Sequence, residues 1–149
     1  MPKLAPLDIS TFNVVNQSGC IPFQLGSSTS YLFDIGFNFS FYGRTFTRFY
    51  LNMNGFIQFY DPAVPPVTAS QPSVFPDPSL NADIAALFWT PLDPTLWADS
   101  CISTRLLLDP ATNASIREIN YTKIALRGVL HDSQLVKSES SFTGTIQID

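Results

Sequence analysis

Histidine occurs once and cysteine twice in 149 residues, and that scarcity removes several function classes at the outset. A closed zinc site needs four ligands at close spacing, which Cys20, Cys101 and His131 do not supply. His131 stands in a polar stretch, His131-Asp132-Ser133-Gln134, and no G-x-S-x-G elbow occurs, so nucleophilic catalysis has no support. The seven glycines are dispersed and form no phosphate cradle ahead of a helix. Lys and Arg together number eight and are absent between Arg48 and Arg105. Without a basic stripe, nucleic acid is not an expected partner. No apolar run approaches the ~20 residues of a membrane helix, so direct membrane insertion is not expected of this segment. Helical periodicity with caps is missing as well, and no substantial helix is expected.

What the chain does have is aromatic alternation. Residues 31–60 hold eight of the thirteen Phe. From 31 to 41 every odd position is large and apolar (Tyr31, Phe33, Ile35, Phe37, Phe39, Phe41), and the even ones are polar or small except Leu32. A period of two marks a strand with one buried and one wet face, since a helix would scatter those side chains around its circumference. Residues 45–53 and 56–60 then read as a hairpin around Asn54-Gly55. A two-residue turn there would pair Tyr50 with Phe59 and set Asn52 beside Ile57. A bulge or longer loop would shift the pairing by one and remove that polar–apolar conflict. Residues 84–89, Ile-Ala-Ala-Leu-Phe-Trp, form a short apolar run consistent with a strand buried on both faces. Further strands are expected over 101–108, over 115–129 as one long or two short pieces, and over 142–148. Six to nine short strands with turn signals between them mean an all-β antiparallel sandwich or barrel. Residues 1–30 are expected to be a lead-in with one short strand near Phe12 to Val15, and 31–149 one domain. The last strand pattern runs to the end of the chain, and more sheet is expected beyond it.

The middle of the chain is acidic and proline-rich. Residues 61–79 carry six of the twelve prolines, a density that neither a helix nor a central strand tolerates. A long surface loop is expected, either a spacer or a binding element. Asp61, Asp77, Asp83, Asp93 and Asp99 lie in this cation-free region. Asp93 and Asp99 near Trp89 and Trp97 invite a glycosidase reading, which uses paired carboxylates. Asp93 before Pro94 reads better as a turn former, and Trp89 as core. Asp83, Asp93 and Asp99 are candidate ligands for calcium, a hard cation that takes several oxygens. Trp97, with Asp61 and Asp77, is the candidate ligand surface, including for glycans.

Four Asn-X-Ser/Thr sequons occur, at Asn16, Asn38, Asn113 and Asn120. Asn38 falls on the polar face of the first strand and Asn113 in a turn-rich segment. The amino-terminal residues carry no signal-peptide hydrophobic region, so the chain is either cytosolic or a piece whose signal lies upstream. The sequons favour a secreted or cell-surface glycoprotein. In an oxidising compartment Cys20 and Cys101 are expected to bridge, with pairing to cysteines outside the fragment as the alternative.

Three pieces fall in a recognisable order: F-x-F-x-F-Y-G-R-T-F (37–46), N-x-N-G-F-I-x-F (52–59) and I-A-x-L-F-W-x-x-L-D-P (84–94). Together they resemble the nidogen-like extracellular domain, with its F-x-F-Y-G, S/N-N-G-x-I-x-F and I-A-P-F-W-x-D-x-D. Residues 116–126 and 141–146 look like the related domain of the plexin-domain-containing (tumour endothelial marker) proteins. The third motif departs from the family pattern, reading Ile84-Ala85-Ala86-Leu87-Phe88-Trp89 and then Thr90-Pro91 where an acid often follows. The resemblance implies a β-sandwich module of multidomain matrix or cell-surface proteins, without catalysis. The expected function is non-enzymatic adhesion or assembly, with other extracellular proteins or further copies of the chain as partners and no required cofactor. The alternative is a calcium-dependent or lectin-like glycan binder.

Overall fold

The alternating stretch builds the longest strand of one sheet. A computed structural model describes residues 10–23, 30–68, 82–95, 98–126 and 139–147. Its strands are β1 (Asn13–Gln17), β2 (Ser30–Phe41), β3 (Arg44–Asn52), β4 (Phe56–Phe59), β5 (Ile84–Ala86), β6 (Leu92–Asp93), β7 (Cys101–Leu108), β8 (Ser115–Leu126) and β9 (Glu139–Gln147). Among the described residues there is no helix, and so none long and apolar enough to cross a membrane. One sheet has the order β2-β3-β4-β5; the other runs β1-β7-β8-β6, with β9 also on β8. All pairings are antiparallel. The fold is an all-β sandwich.

In β2 the odd side chains are buried or half-buried and the even ones from Leu32 to Ser40 exposed, as the period of two requires. Ile35 is wholly buried between the sheets. The β2–β3 register breaks between Asp34 and Phe39, and Gly36 sits in the break at φ +99°. A Cβ at Gly36 would lie 2.9 Å from both methyls of Leu106 on the facing sheet, which would have to swing aside, and the positive φ strains any L side chain there whatever the space. Phe39, Phe41 and Phe46 pack around Phe59 with ring centroids 5.3, 4.8 and 5.2 Å away. Tyr42 and Gly43 form a two-residue turn with both φ positive, the twist-matched hairpin form.

The β3–β4 hairpin takes the shifted register. Leu51 pairs with Ile57 and Tyr50 with Gln58, leaving Met53, Asn54 and Gly55 as a three-residue loop with Gly55 at φ +89°. Asn52 does not share a face with Ile57. It is fully buried all the same, as are Asn54 and, nearly so, Gln58.

The run at 84–89 departs from expectation. Only Ile84–Ala86 is strand; it is a sheet edge, half-buried to exposed, rather than buried on both faces. The reason lies in the neighbouring turn: Leu87 N–H and Phe88 N–H both donate to the Gly55 carbonyl, and Thr90 N–H to that of Asn54. Those bonds bend the chain around the turn instead of along β4. β8 is one long strand, with Lys123 at φ +53° where its pairing to β9 slips. The lead-in contributes β1, which pairs with β7, and Phe23 joins the core.

Candidate functional site

The acidic region is organised by one guanidinium. Arg44 opens β3 directly after the Tyr42-Gly43 turn. Its Nη2 donates to Asp61 Oδ2 at 2.6 Å and its Nη1 to Asp83 Oδ2 at 2.7 Å. Its carbon lies 5.2 Å from the centroid of the Phe46 ring. Asp61 follows β4 and Asp83 precedes β5, so Arg44 grips both ends of the chain between them. That intervening chain is the proline-rich stretch. Its described start is held too: Asp61 Oδ1 accepts Ala63 N–H at 2.9 Å, and the Gln58 side chain bonds Pro65 O and Val67 N–H. The bond from Arg44, then that from Ala63 N–H, hold the Asp61 carboxyl below its ordinary value. The same partnership raises Arg44.

The expected calcium ligands are not brought together. Asp83 is taken by Arg44. Asp99 pairs with Lys123 at 3.0 Å, and that bond holds its carboxyl low. Asp93 Oδ1 accepts from both the N–H and the hydroxyl of Thr95, a local turn cap. Among the described residues no three His, Cys, Asp or Glu converge on a metal-sized site. Trp97 and Asp77 lie outside the described residues, as do His131 and most of the proline-rich stretch. Trp89 packs on Phe56, ring centroids 4.2 Å apart.

Cys20 and Cys101 form a disulfide with Cα atoms 5.1 Å apart. It fastens the segment after β1 to the start of β7. The four sequon asparagines sit in unequal surroundings. Asn38 is exposed on β2, and Asn113 is exposed in the β7–β8 turn at φ +62°. Asn16 is exposed on β1, and its Oδ1 accepts from Arg117 Nη1 at 3.4 Å. Asn120 is half-buried with both amide ends engaged: Nδ2 donates to Glu118 at 2.5 Å, and Oδ1 accepts from Thr143 at 2.6 Å. Burial alone would raise the Glu118 carboxyl, but its bonds from Arg105 and Asn120 outweigh that and lower it.

Sequence reasoning missed the Arg44 clamp and the buried asparagines. Asn52 Oδ1 accepts Asn54 N–H, its Nδ2 donates to Ser30 Oγ at 2.8 Å, and its carbonyl accepts the Tyr121 hydroxyl. Asn54 Oδ1 accepts Leu92 N–H at 3.1 Å. The N-x-N-G motif is therefore the post to which the β5–β6 connection and β8 are tied. Its signal was the very conflict that a polar Asn52 posed among apolar neighbours.

Arg44→Ala should free the proline-rich stretch with little change in global stability, because the guanidinium is half exposed. Limited proteolysis should cut within residues 62–82 several-fold faster. Acid should mimic the variant: Asp61 is depressed in the folded state, so its contribution is present above the ordinary carboxylate range. It is lost as pH falls through the lowered folded value. Unchanged cleavage in the variant would show that the clamp does not hold the stretch.

One family model matches this sequence. The family described as NIDO related matches residues 9–107, well over half of the chain and spanning β1 to the penultimate residue of β7. No curated protein and no solved structure matches. With the Phe-rich β2–β3 hairpin and the N-x-N-G turn inside the matched span, the chain belongs to the NIDO-related family.

Proposed function

We propose that the domain is a non-catalytic extracellular module for adhesion or assembly in a matrix or cell-surface structure. Its partners are other extracellular proteins or further copies of itself. The observation that carries this reading is the Arg44 clamp, which anchors both ends of the acidic, proline-rich stretch on a rigid sandwich. Loops fixed at both ends on a stiff scaffold are where recognition concentrates. Family membership, a disulfide and four sequons favour the secretory route. The likeness of the segments around β8 and β9 to plexin-domain-containing proteins points the same way. Calcium dependence is the weaker alternative, because Asp83 and Asp99 already have cationic partners.

The test is to secrete the chain from eukaryotic cells and replace residues 66–81 by a Gly-Ser linker of equal length. The wild type should carry glycans at Asn38 and Asn113 and adhere to deposited matrix or to itself, with EDTA making no difference. The replacement should keep its thermal midpoint and lose attachment. Attachment that survives the replacement, or that disappears with EDTA, would overturn the reading.

A further inference from the structure

Arg117 is a buried charge whose partners are neutral. It lies on β8, 4% exposed, and reaches across the sandwich. Its Nε donates to the Ile35 carbonyl at 3.0 Å and its Nη1 to the Asn16 side-chain oxygen at 3.4 Å. Among the described residues the ion pairs are made by Arg44, Arg48, Arg105 and Lys123, and Arg117 joins none of them. Asp34 is the nearest acid in electrostatic terms, but it is turned to Arg48 at 3.2 Å. Burial pushes the Arg117 guanidinium below its ordinary value, and Asp34 offsets only part of that. A buried cation without a contacting anion is costly unless something supplies one.

An open hollow of about 240 Å³ supplies the room. It lies where the β1 and β2 edges of the two sheets face each other. Arg117 and Thr104 contribute to its lining, with Asn16, Gln17, Ser18, Phe33 and Asp34. We propose that this hollow binds a carboxylate-bearing sugar, a uronic or sialic acid unit of a glycan, with Arg117 taking the carboxylate. The guanidinium fork matches a carboxylate geometrically. The Gln17 amide and the Asn16 Nδ2 suit ring hydroxyls, the Ser18 hydroxyl being spent on the Gly19 carbonyl and Thr104 N–H, and Phe33 offers an apolar wall for the ring. An acidic peptide side chain would fill the charge but present no hydroxyls to the Gln17 and Asn16 amides and no ring to Phe33. The volume lies below that of drug-sized pockets, which suits a single sugar ring. The site shares no residue with the 61–99 region, so either proposal can fail without the other.

The test titrates the oxidised chain, made in a host that adds no N-glycans, and follows amide NMR shifts. Probes are sodium glucuronate, N-acetylneuraminate, glucose, acetate and a glutamyl dipeptide. Saturable shifts at Gln17, Ser18, Phe33 and Thr104 are expected with at least one sugar acid, at an affinity on the order of 1 mM. Glucose should give none, and acetate and the dipeptide should bind at least tenfold more weakly. Arg117→Met should abolish the shifts. Gln17→Leu, on an exposed strand, should weaken binding at least threefold and keeps the test open should Arg117→Met fail to fold. No saturable response to either sugar acid overturns the proposal. So does acetate or dipeptide binding as tight as theirs, or binding unchanged in Gln17→Leu.

Discussion

Gly55→Ala should lower stability by about 3–5 kcal/mol, the range reserved for a few severe mechanisms. Two of them act together here. Gly55 stands at φ +89°, in the left-handed region that costs an L-residue roughly 1–2 kcal/mol. A Cβ would also lie 2.0 Å from the Phe88 carbonyl oxygen, a backbone atom that no rotamer change can move aside. Relief means backing the chain at residues 87–90 away from the turn. That breaks the bonds from Leu87 and Phe88 N–H to Gly55 and from Thr90 N–H to Asn54. Gly55→Asn separates the two causes, because Asn tolerates positive φ but brings the same Cβ. It should be nearly as damaging as Ala. Urea denaturation gives the answer, and a loss below about 1 kcal/mol for Ala would show that the contact relaxes freely.

That turn also shows what the sequence could and could not disclose. Asn54-Gly55 announced a hairpin, and the polar Asn52 among apolar neighbours left its register open between a two-residue turn and a shifted pairing, which the structure takes. Both signals are local. Why Asn52 is tolerated at zero exposure was not legible, because its side-chain Nδ2 is answered by Ser30 Oγ, 22 residues away across the β2–β3 pairing. The same distinction holds elsewhere. The alternation of β2 is a property of twelve consecutive residues and reads directly. The bend at Leu87 depends on a carbonyl 32 positions earlier, so 84–89 passed for a fully buried strand. Arg44 closed the F-x-F-Y-G-R motif without visible purpose, since Asp61 and Asp83 are neighbours only after β3, β4 and β5 pair. Arg117 shares its strand face with the apolar Ile119 and Tyr121, but what its charge meets is set by Ile35 and Asn16, 82 and 101 positions away. Strand existence was written locally, whereas the charges that build candidate sites were written across the sandwich.

Those non-local ties also rank the two candidate surfaces by what each can withstand. The Arg44 clamp is held at the exposed rim of a sheet and can be lost without disturbing the core. The Arg117 hollow instead depends on how β1 sits, because Asn16, Gln17 and Ser18 form one wall. β1 is exposed along its whole length and has one strand neighbour, β7. Beyond Gln17 it is continued by Ser18 N–H to Thr104 O and Ile21 N–H to Ile102 O, both 2.9 Å. Apolar burial begins only at Ile21 and Phe23 and none holds β1 itself, so the covalent tie at Cys20 must matter more.

Reducing the Cys20–Cys101 bond, or replacing both cysteines with serine, should therefore cost about 4–5 kcal/mol. The bridge closes a loop spanning 81 positions, for which chain entropy in the unfolded state predicts that size. For a domain of this length the thermal midpoint should fall by roughly 10–20 °C. The loss should also be uneven. Cys20 is exposed, so reductant reaches the bond in the folded protein, and β1 should open before the rest of its sheet. Hydrogen exchange under reducing, non-denaturing conditions should show β1 amides losing protection while those of β7 and β8 that pair with each other keep theirs. Sugar-acid binding at Arg117 should weaken together with β1, before global unfolding, while the Arg44 clamp persists. A midpoint shift of only a few degrees, with β1 still protected after reduction, would mean that pairing with β7 alone holds the strand.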